Sequence, residues 1–115
     1  MKKSILLKAL FLSLIISCSA PVVEIPKDVL SKDKMISILV DVHLAEAAIS
    51  INNAQRDTSK VTEYYEFIYK NHSTTKKQFT ESYDFYLAHP EILNKIYDDV
   101  LVELSKKQTE ALKKH

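Results

Sequence analysis

Apolar residues recur at three- and four-residue steps along most of this chain, the period of helices that bury one face. The first such stretch runs from Ser31 to Asn52. Met35, Leu39, Val42, Ala45 and Ile49 form its stripe, and Ile36, Ile38, Val40 and Leu44 widen it, so burial on more than one side is expected. Ser31 stands where an N-cap is needed, and Asp33 lies in the first turn, where the helix dipole favours an acid. Asn52-Asn53 offers a left-handed stop. After a polar break over residues 53–59, a second helix is expected from Lys60 to about Tyr69, with Val61, Tyr64, Tyr65 and Ile68 on one face and Asn71 ending it. Thr75-Lys76-Lys77-Gln78 has the spacing of a capping box, and Phe79, Tyr83, Tyr86 and Leu87 make the stripe of a third helix. His89-Pro90 closes that helix and begins the last, since Pro suits the first helical position. Leu93, Ile96, Tyr97, Val100, Leu101 and Leu104 form the last apolar face, and Lys106, Lys107, Lys113 and Lys114 gather at the negative dipole end. The pattern predicts an all-α fold, a small bundle of about four helices joined by short turns.

Composition narrows the function. The 115 residues allow one small domain, and a 46% hydrophobic content is ordinary for a folded chain. There is no glycine. That excludes a P-loop, a dinucleotide-binding glycine turn, a nucleophile elbow and a standard EF-hand loop. A formal charge of +1 gives none of the strong basic excess that nucleic acid demands, so no nucleic-acid partner is expected.

The first residues read as an address. Met1-Lys2-Lys3 and Lys8 supply positive charge ahead of the apolar run Ala9 to Ile16, which is too short to cross a bilayer of roughly 30 Å as a helix. Leu14-Ile15-Ile16-Ser17-Cys18 resembles the bacterial lipobox. That resemblance implies cleavage between Ser17 and Cys18, a diacylglycerol thioether on Cys18 and an acylated amine. Cys18 is the only cysteine, so no intramolecular disulfide competes for it. Two or more acyl chains hold a protein firmly on a membrane, at about 0.8 kcal/mol per buried methylene. Removal of residues 1–17 takes away three lysines and leaves the mature chain slightly acidic. Residues 18–28, with Pro21 and Pro26, read as a tether able to reach on the order of 30 Å when extended, and residues 29–115 as the helical domain.

Three groups of side chains are candidates for a role. His43 and Glu46 are three apart on the first helix and therefore neighbours, able to share a proton or a metal; Asp41, two residues from His43, points elsewhere. A metal would need further ligands from another helix, so no metal or cofactor is expected. Asp98-Asp99 diverge on a helix and read as a solvated acidic face rather than a catalytic dyad. Phe67 and Phe85 fall off the stripes of their helices and are the candidates for an exposed contact surface for a partner, the alternative being that they join the core on a wide face. His72 and His89 are expected in turns, capping locally.

Pro26-Lys27-Asp28-Val29-Leu30 and the run Asp33 to Ala47 resemble the opening block of a Bacteroidota lipoprotein family, the domain of unknown function 4296. A second block fits as well: Tyr65 to Tyr69, then Phe79, Ser82, Tyr86, His89-Pro90-Glu91 and Ile96 to Val100. The resemblance implies a small helical lipoprotein and carries no assigned activity, cofactor or catalytic residue. Surface-bound lipoproteins of that group usually carry acids directly after the cysteine. Ser19-Ala20-Pro21 has none, which implies the periplasmic side of the outer membrane. The expectation is a lipid-anchored binding or accessory module with an unidentified protein partner, not an enzyme. The alternatives are a small enzyme or metal-binding domain built on His43 and Glu46, and a chaperone-like module for envelope proteins.

Overall fold

A computed structural model describes residues 2–5, 21–52 and 57–115. The proposed cleavage and lipidation positions, Ser17 and Cys18, lie outside the described residues, as does most of the signal segment. Among the described residues the fold is all-α. Helix α1 spans Lys32–Ile51, α2 Thr58–Asn71, α3 Lys76–Leu87 and α4 Pro90–Lys113. Each helix packs on its neighbours in a closed cycle, and the α1·α4 interface is the largest. No described helix is long and apolar enough to cross a membrane.

Local chemistry sets the boundaries. Ser31 accepts from the Lys34 backbone N–H and starts α1. Asn52 closes α1 with φ −86°, ψ 5°, not in the left-handed region; its side-chain amide donates to the Ala48 carbonyl instead. Helix α2 starts two residues before the expected Lys60, because Asp57 caps it by accepting from the Ser59 and Lys60 N–H groups. Those bonds, the Ser59 hydroxyl's above all, hold the Asp57 carboxyl below its ordinary pKa. The turn into α3 passes through Ser73 at φ 51°, the left-handed conformation that glycine would adopt without steric cost. Thr75 caps α3 through the Gln78 N–H, but Gln78 does not complete the reciprocal box: its carbonyl oxygen accepts from the Thr74 hydroxyl. Pro90 opens α4 as expected.

The core lies between α1 and the other three helices. Met35 and Ile38 of α1, Tyr86 of α3, and Ile96 and Val100 of α4 are almost wholly buried. Four stripe positions depart from expectation: Leu44, Tyr64, Leu87 and Leu101 are exposed. Each sits at the edge of its stripe, where no neighbouring helix reaches it.

Packing begins before α1, inside the stretch read as tether. Ile25 and Val29 lie against the core and Leu30 is buried. The Leu30 backbone is gripped on both its N–H and its C=O by α3. Its N–H donates to the Ser82 hydroxyl oxygen at 2.9 Å, and its carbonyl accepts from the Tyr86 hydroxyl at 2.7 Å. Ser82 in turn donates to the Gln78 carbonyl, so its buried hydroxyl is satisfied in both directions.

Candidate functional site

The pair nominated by sequence, His43 and Glu46, does form on α1. His43 Nδ1 lies 3.4 Å from Glu46 Oε2, and both side chains are partly open to solvent. The other oxygen of Glu46 accepts from the Tyr65 hydroxyl of α2 at 2.9 Å. Glu46 therefore joins two helices. On the opposite side of His43 its ring lies 6.4 Å from that of Tyr97 on α4, and the Tyr97 hydroxyl meets that of Tyr83 on α3 at 2.9 Å. Tyr83, Phe79, Tyr69 and Tyr65 continue ring to ring at centroid separations of 5.5–6.3 Å. The result is a closed circuit of side chains drawn from all four helices.

The electrostatics of this circuit favour neutral phenols. Burial first, then the hydrogen bond to Glu46 and its negative charge, push Tyr65 up to about 12. Burial, the Tyr83 hydrogen bond and more distant charge likewise push Tyr97 up to about 12. Burial alone raises Tyr69. Near neutral pH these groups are hydrogen-bond donors rather than bases. Among the described residues, no group of three or more His, Cys, Asp or Glu side chains is placed to hold a metal ion.

Asp41 points away from His43, as its spacing requires, and takes a different partner. The Nε2 atom of His72 lies 2.7 Å from Asp41 Oδ2. His72 was expected to cap its own turn; its side chain instead ties the α2–α3 turn to α1. His89 does act locally, its Nδ1–H donating to the Phe85 carbonyl at the end of α3. Asp98 and Asp99 are both exposed on α4.

The two off-stripe phenylalanines separate. Phe67 is 62% exposed on the outer face of α2, although Ile68 and Tyr69 beside it are buried. With Tyr64, Lys60 and Glu63 it lines a shallow depression of about 510 Å³. Phe85 corrects the expectation. It is half-buried, edge-on to Tyr86 at 5.3 Å and 4.5 Å from the His89 ring, because the tight turn at Ala88-His89 folds that imidazole back over it.

The seam linking Glu46 to Tyr65 and Tyr83 to Tyr97, and the grip of Ser82 and Tyr86 on Leu30, were not predicted from sequence. Their only sequence signal is a polar atom on an otherwise apolar stripe: Tyr rather than Phe at 65, 83, 86 and 97.

The architecture defines a small all-α helical domain with a short packed segment ahead of its first helix. The family model described as Domain of unknown function (DUF4296) matches residues 26–110, from just before the Leu30 grip to near the end of α4, and the chain belongs to that family. No curated protein and no solved structure matches it.

Proposed function

We propose that this chain is a bacterial lipoprotein of Bacteroidota type, anchored through Cys18 at the periplasmic side of the outer membrane, that binds a protein partner through the outer face of α2. The observation that carries this reading is Phe67: a large aromatic presented to water beside Tyr64, on a helix whose opposite side is locked into the core. Aromatic side chains supply much of the energy of protein contacts because they bury a large area with few rotatable bonds. Support for the anchor comes from the basic start, the short apolar run and the Leu14 to Cys18 segment. Lipidation would hold the module at the membrane, with the stretch before Ile25 as leash.

A photo-reactive residue at Phe67 tests the contact in intact cells. A discrete cross-linked species is expected, lost when the same group is moved to Thr62, exposed on another face of α2. Cys18→Ala tests the anchor. Release from the membrane fraction is expected, and continued sedimentation with membranes would refute it.

A further inference from the structure

The chain holds six tyrosines, and two of them meet hydroxyl to hydroxyl. Tyr83 of α3 and Tyr97 of α4 lie with their phenol oxygens 2.9 Å apart. The other four are set differently. Tyr65 donates to Glu46 and Tyr86 to the Leu30 carbonyl. The Tyr69 ring packs between those of Tyr65 and Phe79, and Tyr64 faces water on the outside of α2. Tyr83 and Tyr97 are each half-buried. Their contact is fixed by the packing of α3 on α4, across the short turn at Ala88-His89, yet its edge stays open to a small solute. A phenol stripped of one electron and its hydroxyl proton becomes a phenoxyl radical, with its spin shared between the oxygen and the ring carbons beside it. Two phenols that touch at their hydroxyls hold those carbons a small ring rotation apart.

We propose that Tyr83 and Tyr97 form an oxidative modification site, at which a one-electron radical oxidant, of the carbonate- or sulfate-radical class, joins the two rings as a dityrosine and staples α3 to α4. Each phenol passes one electron to one oxidant radical and its hydroxyl proton to water. The two phenoxyl radicals then pair, forming one carbon–carbon bond between ring carbons next to the oxygens. Each of those carbons releases its hydrogen as a proton while its oxygen takes one from water, which restores both phenols. In sum two C–H bonds are replaced by one C–C bond, two protons leave, and two oxidant radicals are reduced to their anions. Cys18 is the only cysteine, so no disulfide can tie these helices together. The dityrosine supplies that tie across a separation of 14 residues, and a cross-link stabilises a fold by restricting its unfolded chain.

The test is oxidation of the full-length chain, dilute and in limiting dose, by sulfate radical from photolysed persulfate. The expected product is a monomer lighter by two hydrogens, with dityrosine fluorescence. Trypsin should release peptides 78–95 and 96–106 as one covalent pair, joined at Tyr83 and Tyr97. Tyr83→Phe and Tyr97→Phe, which keep the ring and remove the hydroxyl, should each abolish this product, and Tyr64→Phe should retain it. Oxidation in urea should lose the selectivity, since the fold supplies the contact. The purified cross-linked monomer should melt higher by on the order of 10 °C. Coupling of Tyr65 to Tyr69 or of chains through Tyr64 in place of the Tyr83–Tyr97 link, no coupled product at all, or the same product from Tyr97→Phe would each overturn the site, and an unchanged melting temperature would overturn the staple. The mapping of the unsubstituted chain needs no variant to fold, and the readout is independent of the Phe67 surface and of the anchor.

Discussion

The grip of α3 on Leu30 sets up a quantitative prediction. Tyr86→Phe removes one hydroxyl from a fully buried ring and leaves the Leu30 carbonyl without its donor. A buried acceptor stripped of its partner costs about 1–3 kcal/mol, more than the net worth of the bond itself. For a domain of this size each kcal/mol lowers the melting temperature by about 4–8 °C, so a fall on the order of 5–15 °C is expected by far-ultraviolet circular dichroism. Ser82→Ala orphans the Leu30 N–H and should cost a similar amount. The two changes should not add. Both bonds hold the backbone of one residue, and once either is broken the segment detaches and the other has less to hold. The double variant should therefore fall short of the sum by at least about 0.5 kcal/mol. Lys27 and Lys32, which flank the gripped residue, should become sensitive to trypsin in each variant. A melting temperature unchanged to within about 1 °C for Tyr86→Phe would show that Leu30 is held by packing alone, and strict additivity in the double variant would refute the coupling of the two bonds.

Three further outcomes follow from the same geometry. Phe67→Ser should leave stability within about 0.5 kcal/mol, whereas Phe85→Ser should cost about 1–2 kcal/mol, less than a fully buried phenylalanine, as denaturant titration would show. Asp57→Ala should cost about 0.5–2 kcal/mol through loss of the α2 cap, and Asp57→Asn should recover most of it in the same assay. Tyr65 and Tyr97, held up to about 12 against an ordinary value of 10.0, stay protonated in the fold while the unfolded chain ionises. Stability present below pH 10 should therefore drain away as pH rises toward 12, and Tyr65→Phe with Tyr97→Phe should blunt that loss in melts recorded across the range.

The helices were legible because their signals are local. Ser31, Thr75 and Pro90 act within a turn of themselves, and a three-to-four period needs only neighbours in sequence. Periodicity names a face but not how far the next helix reaches along it. That is why Leu87 and Leu101 belong to stripes yet meet water. The polar seams were illegible for a different reason. Asp41 finds His72 across 31 residues, and Leu30 finds Ser82 and Tyr86 across 52 and 56. No spacing rule links such positions; only the closure of the bundle brings them together. His43 and Glu46 were found because they share one helix, while their continuation to Tyr65 and Tyr97 crosses to others.

The Leu30 grip also decides how the domain would carry a load. Tension drawn through the N-terminal segment does not arrive first at the opening turn of α1. It is delivered to α3, 46 residues or more further along the chain than Leu30, through two hydrogen bonds that must rupture before the segment comes free. Resistance to such a pull is governed by the unfolding rate rather than by equilibrium stability. A module built this way could weaken substantially in solution at another site and still hold its place under strain.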